Sequence, residues 1–539
     1  MGSSLKLKNS IVAILIVLLS AVVFAESSIP YFYAEHKTVP GNKFLGQVIY
    51  TPDQDMYFSF IRQARDGNFV FSNRLTYIHN EPAFVNLQFW LIGTTQRITG
   101  LSENGIYYVW RYLGILLLTI GITLLARIIL PAAGRLWACV VILLFTGGFG
   151  FIFAFLGSMH LISLDVVHAG ILDMRYGFLP FQQAVTNPNF SFPHGLILIA
   201  YALFLLGERE GRKAYYIWCG ILFIIIGLVR PYDIIPPVAI FPVYLLVTSG
   251  LRFELQTLLR KFLPLLIMIP VFLYNVWLFK FNAAFKDWST QGLNADSLPS
   301  VIWHYLAYGV VGILAIIRIA QIKTNPLSKN DKFLLVWFLV TFICIHLGKY
   351  FPVIGWSPQI GVYLAVPLAL LGCSIKYQPV RKLSYCAVIA VITFCVIAGN
   401  ISILLYYTKN FKDPAKTPIF YASENELAAW QWLQQNTKQG DVVLAMPSTS
   451  LRIAKYTDNN VVAAHYSVTP HFVETANLAG NLYSSPALAG KHSIMKDTLH
   501  VSYLYIGPLE EQTAHNNIVL DAGYTKVYSN PLVAIYKVN

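Results

Sequence analysis

Long apolar runs separated by short polar connections occupy most of the chain. An α-helix rises about 1.5 Å per residue, so a run of about 20 apolar residues crosses the hydrocarbon core of a bilayer. The runs predict a polytopic α-helical membrane protein with about 11 transmembrane helices. The predicted spans are residues 9–25, 105–130, 136–157, 193–207, 214–229, 234–250, 262–280, 300–319, 333–348, 358–375 and 383–407.

Basic residues between the apolar runs predict the orientation. Lys and Arg cluster before the first span and after the second, fourth, sixth, eighth and tenth, as the positive-inside rule expects of cytoplasmic loops. The N-terminus is therefore predicted inside, with residues 26–104, 158–192 and everything after about 408 outside. We favour an uncleaved first span, although Val23-Phe24-Ala25 also resembles a signal-peptidase site.

The character of the chain changes after the last apolar run. Ser423 and Glu426 form a capping-box pattern at the start of a helix. Apolar, β-branched runs then alternate with helical stretches, which predicts a small α/β domain with a mostly parallel sheet. The predicted strands are 441–446, 461–464, 501–506 and 532–536. The sequence thus divides into a transmembrane domain at 1–407 and an extracytoplasmic α/β domain at 408–539.

Composition agrees with a membrane protein. Hydrophobic residues make up 56% of the chain and charged residues 12%, about half of the charged share in soluble domains. The formal net charge of +13 does not indicate nucleic-acid binding, because the basic residues lie in short clusters between apolar runs rather than on one face. The six cysteines have no metal-binding spacing, and all fall in or beside apolar runs.

Candidate chemistry is concentrated just after the first span. The segment Thr51-Pro52-Asp53-Gln54-Asp55-Met56-Tyr57 opens a predicted amphipathic helix that Gly67 closes. Pro and Asp at the start of a helix place carboxylates near its positive end, where Asp is also simply a good cap.

Several short motifs resemble the GT-C superfamily of integral-membrane glycosyltransferases. That superfamily includes protein mannosyltransferases, aminoarabinose transferases and oligosaccharyltransferases. The residues that carry the resemblance are Asp53-Gln54 with Tyr57, Ile61-Arg62-Gln63-Ala64 through Gly67, Asn73, Thr76 through Glu81-Pro82, Phe192-Pro193-His194, Arg230-Pro231-Tyr232-Asp233 and Tyr505-Ile506-Gly507-Pro508-Leu509-Glu510. The likeness spans nearly the whole chain and is closest to bacterial members of the superfamily.

The resemblance implies transfer of a sugar from a polyprenyl-phosphate donor to a glycan, lipid or protein acceptor on the outer face of a bacterial inner membrane. The reaction needs a carboxylate base for the acceptor hydroxyl and positive charge at the phosphate. The base falls on Asp53 or Asp55, and the sequence does not choose between them. The pair can also share a divalent cation, Mg or Mn, although Gln54 stands where the superfamily often has an acid.

Further polar residues are predicted to bind substrate, each with a structural alternative. Arg230 and Asp233 between two spans suit either phosphate binding or a structural ion pair, because charges near lipid usually pair or face a cavity. The alternatives elsewhere are an ordinary loop surface, a helix start or an interfacial anchor. The full set is Tyr57, Arg62, Glu81, Asp165, His194, Arg230, Asp233 and Lys349.

Two other functions are compatible with the pattern. A transporter or flippase of lipid-linked saccharides would place its charges near the middle of broken helices, often within internal repeats. A polysaccharide polymerase would have a large central external loop, whereas the long loops here come early and at the end. The position of the charges favours the glycosyltransferase.

Overall fold

Most of the chain is helical. The computed structural model describes residues 2–49, 51–175, 178–249, 254–289, 300–347, 361, 363–375, 382–414, 417–484, 491–515, 518, 520 and 522–539. The α-helices are α1 (Gly2–Ser27), α2 (Ile29–His36), α3 (Thr51–Arg65), α4 (Leu87–Thr99), α5 (Glu103–Ile129), α6 (Ala133–Phe145), α7 (Gly150–Ser158), α8 (Leu164–Gly170), α9 (Leu172–Arg175), α10 (Pro180–Thr186), α11 (Pro188–Glu210), α12 (Lys213–Gly227), α13 (Ile235–Ser249), α14 (Leu255–Ile267), α15 (Ile269–Phe281), α16 (Val301–Leu306), α17 (Gly309–Ala320), α18 (Lys329–Leu347), α19 (Ala365–Cys373), α20 (Lys382–Thr408), α21 (Glu424–Asn436), α22 (Pro447–Tyr456), α23 (Phe472–Ser484) and α24 (Pro508–Thr513). The strands are β1 (Asn42–Phe44), β2 (Tyr421–Ser423), β3 (Val442–Leu444), β4 (Asn460–Val461), β5 (Val501–Ile506), β6 (Tyr524–Ser529) and β7 (Ala534–Val538).

The chain folds into two compact units. The first, called here the helical unit, consists of Met1–Pro30, Tyr107–Leu273 and Leu293–Lys409. The second, called the α/β unit, consists of Tyr31–Ile106, Tyr274–Gly292 and Asn410–Asn539. Most of the segment predicted to follow the first span therefore folds together with the C-terminal part of the chain.

Long apolar helices make this an integral membrane protein. Among the described residues, seven helices are long and apolar enough to cross a bilayer. The number is eight if α6 and α7, whose axes are bent by 41° relative to each other, count as one span. The seven are Asn9–His36, Glu103–Ile129, Pro188–Glu210, Pro231–Ser249, Leu255–Lys280, Lys329–Leu347 and Ala387–Phe411. Length thus supports up to eight of the eleven predicted spans, and the other three contain the shorter helices α12, α17 and α19.

The start of α11 differs from the prediction. The helix begins at Pro188, because the Asn187 side chain accepts a hydrogen bond from the amide of Asn189 and proline suits the first helical turn. Pro193 lies inside the helix, and His194 is therefore an interior residue rather than a helix start.

The α/β unit is built on a five-stranded sheet with the order β4-β3-β5-β7-β6. β3 pairs in parallel with β4 and β5, as predicted, but β7 pairs antiparallel with both β5 and β6. The expectation of a mostly parallel sheet was therefore wrong. The connection from β6 to β7 is too short for the helical crossover that parallel strands need, so these strands form a hairpin.

The predicted start of α21 is confirmed. The capping box at the start of α21 is present: the Ser423 hydroxyl accepts from the amide of Glu426, whose carboxylate accepts from the amide of Ser423. β1 pairs antiparallel with β2, so the segment after the first span is joined to the C-terminal part by a small ladder. The sheet buries its core against α23 through Leu444, Leu482 and Leu504.

An ionic cluster also ties these segments together. Oδ1 of Asp458 accepts from Nε of Arg62 at 2.9 Å and from a guanidinium nitrogen of Arg74 at 2.8 Å, while Gln434 donates to Oδ2 at 2.7 Å. Both arginines are buried. Partial burial of Asp458 would raise its pKa, but the hydrogen bond from Gln434 and the two guanidinium groups outweigh that effect and lower the pKa to about 2.

The cluster makes a prediction about stability. Asp458→Ala leaves two buried guanidinium groups without their carboxylate, so we expect a loss of about 3 kcal/mol and a lower melting temperature in detergent. The control is Asp66→Ala. Asp66 pairs with Arg65 and is more exposed than Asp458, so its removal is expected to change stability by less than about 1 kcal/mol. Because the pKa of Asp458 is lowered on folding, its contribution is complete above pH about 4 and disappears as the pH falls toward 2. Equal melting temperatures for the two variants would contradict the role given to the cluster.

Candidate active site

The helix α3 carries both candidate carboxylates of the α/β unit. Asp53 lies in the first turn of α3, where the free amide groups of the helix favour negative charge. Asp55 follows two residues later, a rotation of about 200° around the helix axis. The two side chains therefore point to different sides of α3 and meet different partners.

Asp53 faces a histidine from the C-terminal part of the same unit. Oδ1 of Asp53 lies 2.9 Å from Nε2 of His465. The other ring nitrogen, Nδ1, accepts the amide N–H of Ser467 at 3.2 Å, so the ring proton belongs on Nε2 and is donated to Asp53. The Asp53 side chain is 29% exposed, whereas the His465 side chain is 1% exposed. Among the described residues, Oδ2 of Asp53 has no hydrogen-bond partner.

Asp55 is buried in an ion pair. Its Oδ1 accepts from Nζ of Lys455 at 2.9 Å and from Nε2 of Gln47 at 2.7 Å. The side chains of Asp55 and Lys455 are 5% and 1% exposed. The ammonium of Lys455 also lies 5.0 Å from the ring centre of Phe58. Burial alone would lower the pKa of Lys455, but the charge of Asp55 outweighs it and the pKa is raised.

These contacts bear on the predicted cation site at Asp53 and Asp55. A divalent cation bound by Asp55 would compete with the ammonium that already neutralises this carboxylate. Within the described part of the chain, no three His, Cys, Asp or Glu side chains come together in a metal-binding group. The Mg or Mn site at Asp53 and Asp55 therefore stays a prediction, and in this structure one of its two carboxylates is paired with Lys455.

The other substrate-binding candidates of the α/β unit differ in their surroundings. Arg62 is buried and bonded to Asp458, as described above. Tyr57 is half-buried, with its ring 5.2 Å from that of Phe89. Glu81 is exposed in a loop, where its carboxylate lies 3.5 Å from the imidazole of the exposed His79. Of these three, none contacts Asp53 or Asp55 through a hydrogen bond in the described structure.

The helical unit brings three of the candidates together. A guanidinium nitrogen of Arg230 lies 3.4 Å from Oδ1 of Asp233, 3.1 Å from Nε2 of His194 and 3.3 Å from the hydroxyl of Tyr363. Nδ1 of His194 in turn contacts Oε1 of Gln183. All of these side chains are buried. The predicted Arg230–Asp233 ion pair is thus present, as part of a larger polar cluster.

The remaining candidates lie apart from that cluster. Asp165 is exposed in the first turn of α8. The nearby Asp173 is instead buried, where Oδ2 accepts from the amides of Gly148 and Gly150 at the bend between α6 and α7. Lys349 lies outside the described residues.

Sequence reasoning missed His465, Lys455 and Gln47. A usable signal existed for His465, because it directly follows the apolar run at 461–464 and polar residues at the carboxyl ends of strands often serve function. Lys455 carried a weaker signal as a lysine in the apolar surroundings of Ile453 and Ala454. Neither signal indicates which carboxylate the residue meets.

The fold is similar to that of solved membrane proteins, although the sequence is not. No protein-family profile matches the chain, and neither does any curated protein sequence. The oligosaccharyltransferase of Archaeoglobus fulgidus in its apo form is similar over 98% of this chain and 74% of its own, with a TM-score of 0.56 at 11% identity. The same organism's oligosaccharyltransferase AglB, in complex with an inhibitory peptide and a dolichol-phosphate, gives 0.53 at 12% identity over 96% of this chain and 74% of its own.

A second protein shows the same likeness over its full length. ArnT from Cupriavidus metallidurans in the apo state is similar over 96% of this chain and 97% of its own, with a TM-score of 0.51 at 12% identity. At such low identity the likeness establishes the fold alone. The chain therefore shares its fold with the Archaeoglobus fulgidus oligosaccharyltransferase and with ArnT.

Proposed function

We propose that this protein is a glycosyltransferase that moves a sugar from a polyprenyl-phosphate donor to an acceptor hydroxyl, with Asp53 as general base. The GT-C fold supports the reaction class, and a similar structure, AglB, is in complex with a dolichol-phosphate. The observation that carries the proposal is the state of Asp53: one oxygen is held by His465, and the other is without a partner among the described residues.

The chemistry balances with one base and one leaving group. The free oxygen of Asp53 takes the proton of the acceptor hydroxyl while the acceptor oxygen attacks C1 of the donor sugar. The bond between C1 and the phosphate oxygen breaks, and its electron pair leaves with the polyprenyl phosphate. Because the acceptor attacks opposite the leaving group, the configuration at C1 inverts. Phosphate is already a good leaving group, so strong acid assistance is dispensable.

Asp53 suits the role of base better than Asp55. A base must reach the acceptor, and the Asp53 side chain is 29% exposed against 5% for Asp55. Asp55 already forms a full ion pair with Lys455, which would have to break before Asp55 could take a proton. We therefore assign Asp55 a structural part: it holds α22 against α3.

For the donor phosphate we propose Arg230, an assignment that rests on the helical unit by itself. Its guanidinium group is buried among polar and aromatic side chains, including His194 and Tyr363. Arg binds phosphate through several N–H groups at once, and a buried position strengthens that contact. When no donor is bound, the carboxylate of Asp233 balances the positive charge of Arg230.

The basic loops support the place of the reaction. We propose that the protein lies in a bacterial inner membrane with its N-terminus inside and the α/β unit on the extracytoplasmic face. The acceptor there is a glycan, a lipid or a protein.

Asp53→Asn tests the base. The amide keeps the shape but accepts no proton, so we expect turnover to fall by a factor of about 10² to 10⁴ with a parental melting temperature. Purified protein is incubated with synthetic polyprenyl-phosphate hexoses and pentoses and an extract of envelope glycans, lipids and proteins, and released polyprenyl phosphate is measured by mass spectrometry. Asp497→Asn, the same replacement at an exposed carboxylate of the α/β unit, is the matched control and should keep parental turnover. Full activity in Asp53→Asn would contradict the assignment of Asp53 as the base.

Asp55 should behave as a structural residue. Asp55→Asn leaves the buried ammonium of Lys455 without a counter-charge, so we expect a loss of about 3 kcal/mol in stability. Replacing both partners, Asp55→Leu with Lys455→Met, should recover much of the melting temperature, because no buried charge remains. A stable Asp55→Asn protein with no turnover would instead make Asp55 the base.

Arg230→Gln separates donor binding from a structural role. If Arg230 holds the phosphate, KM for the donor rises by about tenfold or more, as expected for a lost charge-assisted contact. Arg209→Gln, an exposed arginine near the end of α11, is the control and should leave KM unchanged. A lower melting temperature with parental KM, in Arg230→Gln and Asp233→Asn alike, would show that the pair is structural only.

A further inference from the structure

The imidazole of His465 is fixed at both ring nitrogens. Nε2 donates to Oδ1 of Asp53 at 2.9 Å, and Nδ1 accepts from the amide of Ser467 at 3.2 Å and lies 2.9 Å from its hydroxyl. The ring of Tyr466 stacks on the imidazole with 4.4 Å between ring centres. With both nitrogens engaged and the ring plane covered on one side, the imidazole has one orientation and one tautomer.

The loop that carries His465 is itself anchored. Oγ1 of Thr469 accepts from the amides of Ala464 and His465, each at 3.1 Å, and its hydroxyl donates to the carbonyl of Leu75 at 2.7 Å. The side-chain amide of Asn73 donates to the carbonyl of Val468 at 3.0 Å. The segment after α3 therefore holds the loop in place, and the loop holds the imidazole.

The burial of His465 limits what it can do. Its side chain is 1% exposed, so it does not reach a substrate directly, while Asp53 is partly exposed. Its Nε2 already carries a proton, so it does not accept one from Asp53. Any effect of His465 on a reaction at Asp53 must therefore pass through the Asp53 carboxylate.

We propose that His465 is a positioning residue for the base, on the basis of the proposed function of Asp53. Its N–H fixes one carboxylate oxygen and turns the other toward the acceptor hydroxyl. The proton taken from the acceptor stays on that outer oxygen and leaves to water from there, since the imidazole does not relay it. The C-terminal part of the chain thereby completes a site whose base comes from α3.

The test compares two replacements of His465 in the full-length protein. His465→Gln keeps an N–H donor that reaches toward Asp53, whereas His465→Leu removes it. We expect kcat to fall by about 30-fold or more in His465→Leu with KM nearly unchanged, and by less than about fivefold in His465→Gln, because an orienting contact acts on the chemical step rather than on binding. Melting temperatures of both variants are measured alongside.

A double variant distinguishes positioning from a structural effect. If His465 acts through Asp53, adding His465→Leu to Asp53→Asn lowers kcat no further, since residues that act as a unit are not additive. If the two losses multiply, or if His465→Gln is as inactive as His465→Leu, the positioning role is overturned.

The outcomes also separate this inference from the proposed function. Full activity in His465→Leu with an inactive Asp53→Asn overturns the inference and leaves the base assignment standing. Full activity in Asp53→Asn overturns the proposed function, whatever His465 does. His36→Leu, the same replacement at an exposed histidine in the last turn of α2, is the control, and its kcat should stay within about twofold of the parent.

Discussion

The α/β unit depends on two ion pairs and one hydrogen bond to a carboxylate, which join α3 to partners about four hundred residues later in the chain. Asp53 meets His465, Asp55 meets Lys455 and Arg62 meets Asp458, at sequence separations of 412, 400 and 396 residues. A charge that is taken out of water without its partner costs several kcal/mol. Each pair therefore forms only when the C-terminal part is folded against the segment after the first span, and this dependence makes one unit of two distant stretches.

The same pairing gives the two neighbouring carboxylates different environments. A rotation of about 200° between positions i and i+2 of a helix sends Asp55 into the interior and leaves Asp53 at the edge. The buried carboxylate is neutralised by an ammonium, and the edge carboxylate receives only a neutral N–H donor. One acid thus stabilises the scaffold while the other keeps an oxygen for chemistry, a division that two adjacent charges of similar intrinsic acidity would not otherwise have.

The helical unit also contains a buried charge with polar partners. Arg230 brings a buried positive charge to the end of an apolar helix, and it is surrounded by Asp233, His194 and Tyr363. Charges at such positions are rare because lipid does not solvate them, and they usually mark a pathway or a binding site. The sequence offered a structural pair or phosphate binding, and the pair seen here is compatible with both, since a guanidinium group has N–H donors for more than one acceptor.

Local pattern was enough to determine the membrane class, the amphipathic helix with its two acids, the capping box of α21 and the closeness of Arg230 and Asp233, which are three residues apart. These features depend on hydropathy and on contacts within a few residues, both of which can be read along the chain. The strand hairpin at the C-terminus was missed because β6, Tyr524–Ser529, has no apolar run and was not among the predicted strands. The interior place of His194 depended on a cap at Asn187, which the apolar run alone did not mark. Only the tertiary structure decided which acid is buried against Lys455 and which acid is held by His465. Those answers depend on pairs about four hundred residues apart, and a linear pattern contains no information about which distant side chains will meet.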